Sequence, residues 1–408
     1  MALGGVLLAV NANAQVLSTF VREQVGTLPK GRFMVSYLSL NASIDSMYGR
    51  NGDSKNLSGN LNQSITFQKI TEEDPVRGNQ LSGLFLANGV NLGDQAGSLA
   101  GSIRGTVNGK VPVIGYGIRD DLGLYVSLPV LTFNINADYQ FTPSATTNGL
   151  LSQLSANDQS SVASEMGAAL NSSLENKLFT AGLGWDPRLN RSYFGDAQVM
   201  LLKVISPSQG KTLKQLLQPM LVLPTASDRD IRDLYGLKAG DGRFGMGFKY
   251  ALEETLPYRF QLNLGIGATY LFATNQARRL PRGSGDELNE LLDPDAQVSG
   301  GSKFQSQVQI RYPFPRWVGL NLGVSWQKQL QEALEGNRYQ PEVYSVASSR
   351  TSYDLVSSYA SIDLNSIQSF LEGNFLMPAV AEVGIGLPLA GRNAISEPVL
   401  QFQGTMFF

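Results

Sequence analysis

The sequence predicts an all-β membrane protein, a closed antiparallel transmembrane β-barrel of about 12 to 14 strands. Three observations carry the prediction. Long segments alternate between apolar and polar side chains, the period of a strand with one oily and one wet face. The wet faces are mostly Gln, Asn, Ser, Thr and Gly rather than Lys and Glu. That suits an enclosed aqueous lumen better than the solvent face of a soluble sheet. Only 16% of the 408 residues are charged, against roughly 25% in an ordinary soluble domain.

At the N-terminus, Ala2 to Val10 form a short apolar stretch ahead of Ala12-Asn13-Ala14, a small-x-small cleavage pattern. Residues 1–14 therefore read as the end of a secretory signal, with a mature start at Gln15. The basic n-region is missing, so either the start codon lies upstream of Met1 or the segment is a helix that stays. Val16, Leu17, Phe20, Val21 and Val25 then make one apolar helical face. Residues 15–30 are accordingly a candidate plug, through Val16 and Phe20, ahead of a barrel spanning 31–408. No other uncharged apolar run approaches about 18 residues, which excludes a membrane-spanning helix.

Strands are expected over Arg32 to Asp45, Leu122 to Asn134, Asp196 to Val204 and Phe244 to Leu252, with less regular runs near 60–70, 103–118 and 213–224. Arg259 to Phe272 is the clearest. Phe260, Leu262, Leu264, Ile266, Ala268, Tyr270 and Phe272 face one way, and Arg259, Gln261, Asn263, Gly265, Gly267 and Thr269 the other. About ten residues cross the hydrocarbon at a tilt near 45°, so the terminal aromatics fall at an interface. Phe304 to Tyr312 and Val318 to Gln327 repeat the pattern on either side of Pro313-Phe314-Pro315, forming a hairpin. Leu371 to Met377 and residues 380–389 follow. The last strand, Glu397 to Phe408, sets Leu400, Phe402 and Met406 against Gln401, Gln403 and Thr405. The strand number is even if both termini are periplasmic.

Two insertions interrupt the strands. Ser152 to Phe179 carries Val162, Met166, Leu170, Leu174 and Leu178 at helical spacing, which suits a loop helix packed on the barrel rim. Residues 75–110, Gly-rich with Leu84 and Phe85 inside, read as an extracellular loop folded into the mouth, a second plug candidate.

The chain has no His and no Cys. Imidazole-dependent triads, thiolate nucleophiles and His or Cys metal sites are therefore impossible within it. A formal charge of -2 and a pI near 5.5 give no footprint for nucleic acid. No phosphate-cradling loop precedes a helix, so no catalytic residue, metal site or cofactor is assigned. Lys249, Arg259 and Arg311 point inward in the strand reading, and with Gln261, Asn263 and Gln307 they are the candidate lumen or ligand contacts. Such cations can form a ladder for anionic solutes, or pair with carboxylates and fix a plug. The acidic run Asp286, Glu287, Glu290, Asp293 and Asp295 can hold divalent cations that bridge lipopolysaccharide, or be a solvated loop.

Several motifs carry a resemblance. Leu28-Pro29-Lys30-Gly31-Arg32-Phe33, Tyr116-Gly117-Ile118-Arg119-Asp120 leading to Leu128-Pro129, and Leu223-Pro224-Thr225 followed by Gly240-Asp241-Gly242-Arg243-Phe244 occur in that order. Together they resemble the phenol meta-pathway transporter-type barrels, distantly the long-chain fatty-acid transporter family. The chain departs from those families at Ala226, where glycine is usual, and in having no Asn-Pro-Ala triplet after the cleavage site. The resemblance implies passive uptake of small hydrophobic or amphipathic molecules across the bacterial outer membrane, through a plugged barrel with a lateral or axial exit. The partners expected are outer-membrane lipid and lipopolysaccharide, the β-barrel assembly machinery acting on C-terminal Phe408, and a small hydrophobic solute. The alternative is a non-conducting barrel whose loops bind a partner protein, glycan or lipid.

Overall fold

A computed structural model describes residues 28–56, 63–73, 78–152, 188–205, 213–227, 239–283, 291–314, 317–374 and 376–408. The signal remnant, Val16 and Phe20, the helical stripe beyond Ser152 and most of the acidic run from Asp286 lie outside the described residues. Twelve antiparallel strands close one barrel, at the low end of the expected count. They are β1 (Phe33–Ser43), β2 (Gln95–Arg119), β3 (Leu122–Ser127), β4 (Ala197–Ile205), β5 (Lys214–Leu223) and β6 (Gly245–Thr255). The other half is β7 (Gln261–Leu271), β8 (Lys303–Pro313), β9 (Val318–Gln329), β10 (Tyr353–Asn365), β11 (Ala379–Arg392) and β12 (Val399–Phe407).

Closure comes from β1, which pairs with β12 from Met34↔Phe407 to Ala42↔Val399 and with β2 from Phe33↔Tyr116. Every strand thus has two neighbours and no edge remains, the condition for backbone polar groups to survive in hydrocarbon. At Pro219, which has no N–H, the β5 ladder to β4 lapses between Leu217↔Lys203 and Met220↔Met200, while the ladder to β6 continues, as proline in a strand requires.

The outer face is mainly apolar between the girdles. Leu264, Ile266, Val324 and Phe402 are exposed there, while Asn263, Gln401, Gln403 and Thr405 are buried inside. Two aromatic girdles bound this belt. One holds Phe33 against Tyr116 at 4.8 Å and Phe260 against Tyr312 at 4.9 Å; the other holds Phe244 against Phe272 at 5.4 Å. Beyond the second girdle the polarity inverts. Past Leu128-Pro129 the chain continues as strand Val130–Pro143, with Leu131, Phe133 and Ile135 buried and Asn134 and Asn136 exposed. The wall there has left the hydrocarbon.

The first girdle marks the short-turn end, where Phe33 and Phe408 exchange backbone hydrogen bonds of 3.1 and 2.9 Å. The long connections gather at the other end. A three-stranded sheet of Thr274–Leu280, Leu291–Gly300 and Glu332–Glu335 rises there. Helix Pro341–Ser348 packs on it through Tyr344 and Ala347, against Leu280, Ala296, Val298 and Leu334.

Three expectations change. Leu371 to Met377 is not a strand: helix Ile367–Leu371 ends in a turn there, and Leu371, Leu376 and Met377 are exposed. Residues 95–110 are not a loop but the first part of β2, 25 residues long. The helical part of that region, Gly78–Ala87, buries Phe85 edge-on against Phe67 at 4.8 Å. Strand β10 was not anticipated, because its two faces contrast weakly: Ser358 and Ala360 face outward while Leu355 and Tyr359 face inward.

Candidate functional site: a lumen with two unlike walls

Inward side chains divide the lumen into two chemistries. On β3 to β6, Tyr125, Leu202, Leu216 and Ala251 form a buried apolar cluster with Met200, Val204 and Val113 packed against it. Leu28, just ahead of β1, is a member of the same cluster. Gly117 makes this entry possible. A Cβ there would lie 2.1 Å from the Pro29 carbonyl oxygen, so only glycine lets the incoming chain lie this close to the wall. The Tyr125 hydroxyl hydrogen-bonds the Leu28 backbone, fixing the same contact from the other side.

The opposite wall, β7 to β12, is a hydrogen-bonded network. Arg311 donates to both oxygens of Asp363, at 2.9 and 2.7 Å, and to Gln261 Oε1 at 3.3 Å. Gly319 leaves room for the pair, since a Cβ there would lie 2.5 Å from Arg311 Nε. Asn321 donates to Asp363 at 2.9 Å and to Ser361 at 3.0 Å. Glu382 accepts from Ser361 at 2.5 Å and from the Tyr359 hydroxyl. Ser36 of β1 joins Thr405 at 2.8 Å. Some capacity is unspent: Gln309 Nε2, Asn321 Oδ1, Ser325 Oγ and Gln403 Oε1 are buried without a partner. Such atoms can meet the polar end of an entering solute or water.

The candidate residues separate accordingly. Gln261, Asn263, Gln307 and Arg311 lie on the polar wall, and Gln307 borders a small cavity with Gln309, Ser325 and Tyr359. Lys249 faces inward at the seam between walls, opposite Gln218 and beside Gly267. Arg259 does not reach the lumen: β7 starts at Gln261, and Arg259 is exposed in a turn with φ +67°. The space beside Gly265 and Gly267 is filled by Gln307, Gln305 and Lys249, so these glycines relieve crowding between strands. Phe85 packs in a cluster with Phe67, Val90 and Ala96, and Leu84 shares its helix.

Sequence reasoning missed Asp363 and Tyr359 because β10 itself was missed; Glu382 lies on β11, an expected strand, but was given no role in the lumen. It also missed the apolar wall. The signal was present in Val199 to Leu202 and, apart from Gln218, in Leu216 to Val222, which are apolar on both faces, a pattern that means burial on both sides.

A third group of charges ties the long-loop end together. Arg243, fully buried, donates to Glu332 at 3.2 Å and to the carbonyls of Phe272, Leu271 and Gly300 at 2.9 to 3.0 Å. Arg278 lies 3.5 Å from Glu332, and Lys303 pairs with Asp241. Asp196 accepts backbone N–H bonds from Asp241 at 2.6 Å, Gly242 at 3.1 Å and Ala226 at 3.2 Å. Burial, with Asp241 nearby, pushes the Asp196 carboxyl above its usual range.

No protein-family model and no curated protein sequence matches the chain. Solved structures do. The COG4313 outer membrane channel from Pseudomonas putida F1 superposes with a TM-score of 0.54 at 12% identity, over 95% of this chain and 98% of that one. The CymD monoaromatic hydrocarbon channel scores 0.34 at 10% identity, covering 100% and 93%. The translocator domain of the autotransporter NalP from Neisseria meningitidis scores 0.35 at 8% identity, covering 97% and 92%. The last two score alike although one is a hydrocarbon channel and the other a translocator domain. What the chain shares with the first is the barrel fold along nearly the whole length of both.

Proposed function

We propose that this chain is a bacterial outer-membrane channel for passive uptake of small hydrophobic or amphipathic molecules. The observation that carries the reading is the apolar cluster of Tyr125, Leu202, Leu216 and Ala251 on the inner wall of a barrel that already has an apolar exterior. A barrel needs oily side chains outside; inside they serve only packing or an apolar guest. The unpartnered polar atoms across the lumen add a place for a hydroxyl or carbonyl, which favours amphipathic solutes. Transport rather than catalysis is part of the proposal, and it agrees with a chain that lacks His and Cys. The similarly folded channel supports the class of activity and the outer-membrane location.

Further elements of the proposal concern the ends of the chain. Residues 15–30 are proposed as the plug segment, since its Leu28 sits in the lumen cluster. Phe408, at the short-turn girdle, is proposed as the element read by the barrel-assembly machinery.

The test is uptake into vesicles holding the purified full chain, with a small neutral aromatic and a small inorganic anion as paired solutes. The aromatic is expected to enter faster. Replacing Leu202 and Leu216 together by Gln should slow it about tenfold or more, from the loss of roughly 1.5–3 kcal/mol per apolar side chain. Equal entry of both solutes, unchanged by the double variant, would overturn the reading. Deleting residues 15–27 should raise single-channel conductance, and an unchanged conductance removes the plug assignment.

A second reading is a non-conducting barrel that presents its loops to a partner. The ordered sheet and helix beyond the barrel favour it. It predicts no uptake of either solute.

A further inference from the structure

We propose that the outer wall over β9 to β11 holds one phosphorylated, multiply acylated saccharolipid of the outer leaflet. One acyl chain would lie in a groove along β10, and the phosphate would sit at Lys328 and Arg392. The proposal rests on the outer-membrane placement argued above and adds a site to it.

The groove follows from side-chain size. The outward residues of β10 are small at Ser358 and Ala360, and both neighbours are large. The register sets Val324 and Leu322 of β9 beside them on one side, and Leu387 and Ile385 of β11 on the other. The result is a trough of about 430 Å³, within the size range of preformed sites for small ligands and chains. Its one polar group is quiet, because the Ser358 hydroxyl donates to the Leu387 carbonyl at 3.5 Å. A trough on this face opens to hydrocarbon, so its occupant must be apolar where it touches.

The charges lie above it. Lys328, Asp354 and Arg392 are register partners in one row across β9, β10 and β11, on the same outward face. Four residues separate this row from Val324, about 13 Å along the strand at ~3.3 Å per residue, which a tilt near 45° reduces to about 9 Å of depth. About ten residues of a strand cross the hydrocarbon, so a row four residues past Val324 and six past Leu322 stands at the border of the hydrocarbon when the trough lies among the chains. Asp354 accepts a 2.8 Å bond from the Trp326 indole, an interfacial side chain at its customary depth. Two cations flank one carboxylate, leaving the row net positive and suited to phosphate.

The row is at the long-loop end, which in barrels of this kind faces the outer leaflet. This selects the saccharolipid of that leaflet over a glycerophospholipid of the inner one. A second copy of the chain is disfavoured, because two-fold docking about the membrane normal would bring two net-positive rows together at one height.

The test uses the full chain extracted from outer membranes in mild detergent, with lipid A per barrel measured by mass spectrometry and folding checked by heat-modifiability. Wild type should retain about one lipid per barrel, as a specific site does. K328A/R392A should lose it about tenfold, as expected from one or two lost charge-assisted contacts. A360F, which fills the trough and leaves both charges, should lose it as well. K110A, an exposed cation on β2, should not. Retention by both site variants, equal loss from K110A, or a glycerophospholipid in place of lipid A would overturn the proposal. Uptake of the aromatic solute is read on the same preparations. Wild type that keeps lipid A but carries no solute sinks the channel reading and leaves the lipid site standing.

Discussion

The two walls of the lumen share one strand geometry and carry opposite chemistry. On β3 to β6 an inward cluster is formed by Tyr125, Met200, Leu202 and Leu216, with Gln218, Lys249 and Glu253 the polar exceptions on the same wall. On β8 to β12 inward positions hold Gln309, Arg311, Asn321, Asp363, Glu382 and Gln403. Apolar packing is non-directional, so the first wall tolerates a guest that replaces one oily contact with another. Hydrogen bonding is directional and costly to leave incomplete, so the second wall is held rigid by its own network. On the proposed channel reading the difference assigns passage to the first wall and shape to the second, and it can be broken experimentally from either side.

The largest effect is expected on the polar wall. Asp363→Ala strands the Arg311 guanidinium, whose side chain is 8% exposed, and should cost about 3–5 kcal/mol. The midpoint of heat-induced band shift should fall, with little folded barrel recovered. The double variant R311M/D363L should restore most of that loss if the pair is structural, because apolar residues of similar volume often replace a buried pair without penalty. Failure of the double variant to recover would give the pair a role beyond packing.

On the apolar wall, Leu216→Ala should cost about 2–4 kcal/mol through the cavity it leaves. It should also raise the flux of a small aromatic solute. A loss of stability with unchanged flux would mean this wall is only core, and the contrast between walls would lose its functional meaning.

The smallest effect is at the long-loop rim, outside both walls. The Asp196 carboxyl is pushed above its usual range by burial and by Asp241, so the folded rim binds its proton more tightly than the unfolded chain does. Its contribution is therefore fully present below the ordinary carboxylate range and fades as pH rises through the raised value. Asn at this position cannot titrate; its one oxygen can keep the Asp241 and Gly242 N–H bonds, while its NH2 group replaces the acceptor of the Ala226 N–H. D196N should flatten the pH dependence of the thermal midpoint above the ordinary carboxylate range by about one degree to a few degrees. An identical profile in both proteins would remove Asp196 from the account.

Legibility in the sequence followed contrast between faces. Gln261 to Leu271 could be read because its outward Leu264 and Ile266 oppose an inward Asn263 and Gly265. Tyr353 to Asn365 could not, because small residues on the lipid side and Leu355 and Tyr359 on the lumen side erase the alternation. Ala197 to Ile205 was recognised as a strand, but an apolar lumen face looks the same in sequence as a buried one. Leu371 to Met377 misled for the converse reason: its apolar residues cap a turn at the girdle, where no pairing partner exists.

By itself the sequence determined that this chain spans a membrane as β-strands, since period-two patterning with uncharged wet faces is local information that every residue carries. It also determined that no histidine or thiolate chemistry occurs in it. Only the tertiary structure decided that Arg311 meets Asp363, that Leu28 joins Tyr125 and Leu216, and that the lumen has two unlike sides. Those pairings join residues far apart in the chain, and barrel closure and register, which no local pattern encodes, bring them together.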